Sequence, residues 1–144
     1  MGFGLPASVG VKVGCPGEVV WCIDGDGSFQ MTMQELGTIV QEGLGIKIAV
    51  INNGYLGMVR QWQELFYDRR YAATDLEHGP DFAKLAEAYG ALGLKATRPQ
   101  DVVPILEQGL NSPGPAMMDF WVAREECVYP MVPAGAALTE MLLV

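Results

Sequence analysis

The chain has 144 residues, half of them apolar, which fits one globular domain with a buried core and not a disordered segment. Nine basic residues stand against seventeen acidic ones, a formal charge of −8. That balance excludes a nucleic-acid surface built on clustered Lys and Arg, but it permits an anionic ligand met by backbone N–H groups or a metal ion.

In chain order, Pro6 to about Val13 reads as a short helix rich in small residues. Glu18–Asp24 (EVVWCID) reads as a strand buried on both faces, followed by a Gly25-Asp26-Gly27-Ser28 turn. Thr32–Glu42 is expected to be a helix with Met33, Leu36, Val40 and Gly43 on one face and a Thr32–Glu35 capping box. Ile46–Ile51 is a second apolar strand, ending in Asn52-Asn53-Gly54. Leu56–Phe66 follows as a helix, and Tyr67–Gly79 as a loop without periodicity.

Asp81 is expected to cap a helix carrying Phe82, Leu85, Ala86 and Tyr89 on one stripe, with Gly90 just past its end. Leu92–Ala96 is a short strand, and Asp101–Leu110 a helix that tolerates Pro104 only in its first turn. Pro115–Val122 is the last strand, and the tail from Tyr129 ends in a short helix. No apolar run approaches the ~18 residues of a membrane span. Cys15, Cys22 and Cys127 lack CxxC spacing and are odd in number, which speaks for a reducing, cytoplasmic setting and against disulfides or zinc.

Strand–helix alternation with apolar strands predicts a three-layer α/β fold, a mostly parallel sheet with helices on both faces. Ligands bind such sheets beyond the carboxyl ends of the strands, here the loops Gly25–Ser28 and Asn52–Gly57. Asp26 offers a carboxylate and Asn53 an amide oxygen. With one backbone carbonyl, they leave room around Mg²⁺ for two phosphate oxygens and a water. Either loop alone also reads as a plain turn; the pair, set after two apolar strands one helix apart, points to a Mg²⁺–diphosphate site.

At these residues the chain resembles the thiamine diphosphate-dependent enzymes, whose motif opens on GDG and closes on NN, as do Gly25-Asp26-Gly27-Ser28 and Asn52-Asn53. Met1–Ala7, the run Asn53–Gln63 (NGYLGMVRQWQ) and Val128–Pro133 (VYPMVP) are similar to segments of acetolactate synthase catalytic subunits, so the resemblance covers essentially the whole chain. It implies a C-terminal diphosphate-binding domain over 1–144. Asp26, Asn53 and the Tyr55 carbonyl would hold Mg²⁺. Met1, Gly2, Gly27, Ser28, Leu56, Gly57 and Met58 would bind the cofactor, with Met1 wedged beneath it. Val59 and Trp62 would line the substrate channel, and the tail, about 129–144, would cover the site. The implied reaction decarboxylates pyruvate and joins the product to a second 2-keto acid, in branched-chain amino acid biosynthesis.

The resemblance also implies partners. A pyrimidine-binding domain supplying the activating glutamate, and a domain binding FAD, are not in these residues; no catalytic residue is therefore assigned here. A fragment, a truncated product or one subunit of a split enzyme is expected, working as a homo-oligomer, with a regulatory subunit as a further partner. Two other readings stand beside this one: a subunit of another 2-keto acid decarboxylase or oxidoreductase, and a non-catalytic remnant that binds a diphosphate or a partner chain.

Other residues are read blandly. His78 and Asp68-Arg69-Arg70 are expected to be solvated loop, and Cys22 core packing. Val59, Trp62 and Phe66 share helical spacing, which by itself favours core. An apolar surface near Met1, Met58 and Trp62 is expected where the partner domain would sit.

Overall fold

Four apolar segments become the strands Trp21–Gly25 (β1), Lys47–Asn52 (β2), Leu92–Ala96 (β3) and Ala116–Trp121 (β4) in a computed structural model that describes residues 1–143. All pair in parallel, in the order β1-β2-β4-β3. The helices are Gly4–Gly14 (α1), Asp26–Gln30 (α2), Leu36–Gln41 (α3), Gly57–Phe66 (α4), Phe82–Tyr89 (α5) and Pro99–Asn111 (α6).

Side chains alternate across the sheet, so each strand feeds two cores. On one face Cys22, Ile48, Val50 and Met117 meet Leu5 of α1, Phe29 of α2, Leu36 and Ile39 of α3, and Phe82 and Ala86 of α5. Phe29 and Phe82 stack edge to face at 5.6 Å. Each such buried side chain contributes about 2 kcal/mol. On the other face Ala49, Met118 and Phe120 pack against Val102, Ile105 and Leu106 of α6. The three-layer α/β expectation is therefore met.

Helices α1 and α4, strand β3 and the helix α5 lie where the sequence places them; Asp81 caps α5 by accepting from the Lys84 N–H at 3.2 Å, and Gly90 follows at φ +92°. Other expectations need correction. β1 is not buried on both faces: Ile23 is 71% exposed. β1 is an edge strand, and α6 lies over β3 and β4 and reaches Ala49 of β2, short of β1. Apolar composition reports a preference for extended chain, not a place within the sheet.

The expected helix Thr32–Glu42 is broken. Asp26, instead of lying in a turn, opens α2; a 3₁₀ turn over Met33–Glu35 leads into α3. No capping box forms, and Thr32 Oγ1 is buried without a partner. Met33 is exposed, and Ile39 takes the core place beside Leu36. Helix α6 starts earlier than expected, with Pro99 in its first turn, so Pro104 sits inside it. The tail forms a 3₁₀ turn at Leu138–Glu140 and a bridge between Met131 and Leu142 in place of a terminal helix; Val144 lies outside the described residues.

Two close contacts set the packing. Lys47 is buried at the start of β2, where its Nζ donates to the Ser112 and Gly114 carbonyls at 2.6 and 2.8 Å. Gly93 lets β3 run directly beneath α5: a Cβ there would strike the Ala83 carbonyl oxygen.

Candidate functional site

Parallel pairing of β1 with β2 sets Gly25 beside Ile51, so both chains leave the sheet at the same end. Asp26 follows β1 directly and Asn53 follows β2 directly. Both line one cleft of about 530 Å³, together with Met1, Gly27, Leu56 and Met58. Ser28, Tyr55, Gly57 and Val59 border it as well. The residues named from the sequence are thus gathered in one place, except Gly2, which bonds Ser28, and Trp62, which lies outside the cleft.

Asp26 is 2% exposed, and its Oδ2 is buried with no hydrogen-bond partner. Burial pushes its carboxyl above the ordinary value, while the nearby N–H groups of Gly27, Gly54 and Asn53 pull it back. A buried carboxylate oxygen with no partner is costly, and a cation relieves that cost. Among the described residues, no three His, Cys, Asp or Glu side chains gather to hold an ion. An ion at Asp26 would therefore draw on amide and carbonyl oxygens and on its ligand. That donor set suits Mg²⁺, a hard cation that shares phosphate oxygens and water.

Glycine lets two leucines close over the cleft floor. A Cβ on Gly27 would come within 2.6 Å of Leu56 Cδ2 and 3.2 Å of Leu76 Cδ1. The Gly2 N–H donates to Ser28 Oγ at 2.9 Å, so Gly2 steers the Ser28 hydroxyl and ties the segment carrying Met1 to the start of α2. Met1 itself is 70% exposed.

The loop after β2 is held tightly. Asn52 Oδ1 accepts from the Gly54 N–H, and Asn53 Oδ1 from the Tyr55 N–H, each at 3.1 Å. Gly54 takes φ +67°, a conformation that favours glycine. The segment Tyr67–Gly79, read from sequence as plain loop, is stitched onto this turn: the Leu56 N–H donates to the Thr74 carbonyl, and the Leu76 N–H to the Gly54 carbonyl. Two guanidinium groups approach the Tyr55 ring, with Arg60 at 5.4 Å and Arg124 at 4.4 Å. Arg60 is itself buried and paired with Glu64 at 2.9 Å.

Val59, Trp62 and Phe66 do share one face of α4, as their spacing says, but that face is not core: Trp62 is 44% exposed. Trp62 and Met58 instead form a second cavity, of about 360 Å³, with Met131, Val132 and Pro133 of the tail. The tail thus lies over α4 beside the cleft. Gln61, next to Trp62 on α4, is buried and bonds the tail at Val128.

Sequence reasoning missed Arg60, Arg124 and Asp119. Arg60 and Arg124 carry no motif. Asp119 did leave a signal, being the single acidic residue within an otherwise apolar strand. His78 and Asp68–Arg70 are exposed, as expected, and Cys22 is buried among core side chains.

Comparisons with known proteins fit this geometry. Residues 1–120 match the family described as "Thiamine pyrophosphate enzyme, C-terminal TPP binding domain". The chain is 52% identical over 143 residues to an acetolactate synthase of Arthrospira platensis, covering 99% of this chain and 25% of that protein. It is 49% identical over 142 residues to the acetolactate synthase isozyme 2 large subunit of Escherichia coli (strain K12), covering 99% and 26%. It therefore spans about a quarter of the length of these curated relatives. Among solved structures, a Rhodococcus jostii RHA1 thiamine diphosphate-dependent 4-hydroxybenzoylformate decarboxylase superposes with a TM-score of 0.81 at 28% identity, over 88% of this chain and 24% of that one.

Proposed function

This chain belongs to the thiamine pyrophosphate enzymes as their C-terminal TPP-binding domain, and from that premise we propose that it is the diphosphate-binding part of an acetolactate synthase. Similarity to acetolactate synthases over nearly the whole chain favours that member of the family. The single observation that carries the site assignment is the Asp26 carboxylate, buried with an unpartnered oxygen at the tip of β1 and beside the Asn53–Gly54 backbone.

In this reading Asp26, the Asn53 side chain and the Tyr55 carbonyl hold Mg²⁺. Gly27 and Ser28 meet the diphosphate, while Gly2, Leu56, Gly57 and Met58 shape the cleft around the cofactor and Met1 supports it from below. When bound, thiamine diphosphate supplies the electron sink for decarboxylating pyruvate and joining the product to a second 2-keto acid. The residues of this chain position the cofactor, neutralise its charge and keep water out. Val59 and Trp62 border the path of the 2-keto acids, and the tail covers it.

Catalysis needs the parts that this reading assigns elsewhere: a pyrimidine-binding domain with the activating glutamate, and an FAD-binding domain, on the same or another chain. Exposed apolar side chains beside the cleft, Met1 and Met58 among them, support such a partner and a homo-oligomeric assembly. Cys15, Cys22 and Cys127 are free thiols, which supports a cytoplasmic setting. No helix among the described residues is long and apolar enough to cross a membrane.

The test is to combine this chain with a separately prepared portion carrying the pyrimidine-binding and FAD-binding domains, and to supply FAD and pyruvate. Acetolactate that forms only with Mg²⁺ and thiamine diphosphate, and not with Asp26→Ala, is the expected result. Simple decarboxylation to acetaldehyde would assign the chain to a decarboxylase instead. No product and no complex would sink the proposal.

A further inference from the structure

We propose that Asp119 is a positioning residue for the Asn53–Tyr55 loop, acting by fixing which way round the Asn52 side-chain amide sits. The proposal rests on the reading above that this loop helps hold a metal–diphosphate ligand.

Asp119 lies in the middle of β4 and is 1% exposed. Strand register sets it beside Val50 of β2, so Asn52, two residues further on, projects from the same face. Both Asp119 oxygens are engaged by side chains: Oδ1 accepts from Asn52 Nδ2 at 3.0 Å, and Oδ2 from Trp121 Nε1 at 3.0 Å. Burial raises the Asp119 pKa, and the bonds from Asn52 and Trp121, with the Lys95 charge, oppose that rise. Lys95 Nζ stands 4.8 Å from the Trp121 ring centre.

Both Asp119 oxygens act as acceptors in this arrangement. Asp119 therefore selects the NH₂ end of the Asn52 amide and turns the Asn52 oxygen away, towards the loop. That oxygen accepts from the Gly54 N–H at 3.1 Å. Were the amide reversed, its NH₂ would face the Gly54 N–H and its oxygen would face the carboxylate, and both bonds would be lost. The Gly54 turn is what sends the chain on to Tyr55, and the Gly54 N–H also lies near the Asp26 carboxyl. Hydrogen bonds thus run from Asp119 through Asn52 to Gly54, the residue after Asn53. Asp119 does not line the cofactor cleft; it borders a separate cavity of about 170 Å³ on whose wall Asp26 and Asn53 also lie. It acts on the ligand only through Asn52.

Asp119→Asn keeps the shape but leaves one oxygen for two donors. Three measurements test the idea: Mg²⁺ titration by calorimetry, with thiamine diphosphate present and the pyrimidine-binding portion added; amide exchange at Gly54 and Tyr55 in the ligand-free chain; and Tm. Mg²⁺ affinity is expected to fall by about 10- to 100-fold, the usual cost of losing a group that orients a ligand residue. Asn52→Ala is expected to do the same. The double variant should lose no more than either single one, because the two residues act as a unit. Gly54 exchange should speed up in all three.

Unchanged Mg²⁺ affinity in Asp119→Asn, under conditions where Asp26→Asn abolishes binding, overturns the proposal. Additive losses in the double variant overturn it too, since they would make Asp119 a support of the fold alone. If Asp26→Asn also leaves binding intact, the ion-site reading fails instead, and Gly54 exchange still decides whether Asp119 orders the loop.

Discussion

Gln61 and Val128 bond each other in both directions. The Gln61 amide donates to the Val128 carbonyl at 3.0 Å and accepts from the Val128 N–H at 2.7 Å. One buried side chain thereby replaces a strand partner for the start of the tail. Gln61→Leu keeps the volume but removes both bonds, at a local cost of about 1–3 kcal/mol. Amide exchange from Val128 to Met131 should rise and the tail should become a protease target, with the sheet unaffected. An unchanged cleavage pattern would contradict this role.

Asp26 should trade stability for binding. Its folded-state pKa is raised above the ordinary 3.8 by burial. The native state then holds its proton more tightly than the unfolded one, so stability falls as pH rises from about that value through the raised one. At neutral pH the ionised, ligand-free carboxylate is destabilising. Asp26→Asn is expected to raise the ligand-free Tm at pH 7 by about 3 °C, on the order of 1 kcal/mol, and to flatten the acid-side pH dependence. It should also abolish the Tm increase produced by Mg²⁺ and thiamine diphosphate together. A lower Tm combined with an intact ligand-induced increase would refute both halves.

Gly93→Ala should damage the fold, not the site. The added methyl group meets the backbone carbonyl of Ala83, which has no rotamer to yield. A cost of about 3 kcal/mol is expected, read as a lower denaturant midpoint. Gly10→Ala, where a Cβ meets nothing, should be neutral or slightly stabilising and serves as the control.

The apolar surface around the cleft should make the isolated chain associate. Phe3 and Met1 are mostly exposed, and Met58 and Trp62 nearly half so. Sedimentation of this chain is expected to show concentration-dependent oligomers that the substitution Trp62→Gln weakens. A monodisperse monomer at high concentration would argue against a docking face here.

The strands and the two tip loops were legible because a buried parallel strand leaves a run such as IKIAVI, and because glycine and asparagine mark its end. What was not legible depended on partners distant in sequence. The break between α2 and α3 is one case: Thr32-x-x-Glu35 has the letters of a cap, yet here Thr32 is C-terminal to a helix already begun at Asp26. Ile23 is another, since nothing in its own segment says that the covering helix stops short of β1. The Arg60–Tyr55–Arg124 cluster joins residues on three separate elements, and no spacing rule reports it. Lys47 shows the converse: its charge reads as surface, but carbonyls from beyond α6 make it interior.

The placement of Asp26 and Asn53 on neighbouring strand tips has a consequence for how the sheet opens. Edge strands fray first, and within the sheet β1 pairs with β2 alone. A ligand that grips both tips staples this seam, because peeling β1 away would carry Asp26 off and release the ligand. Occupancy should therefore protect β1 amides more than those of β3, the other edge strand, making β1 the more sensitive reporter of loading.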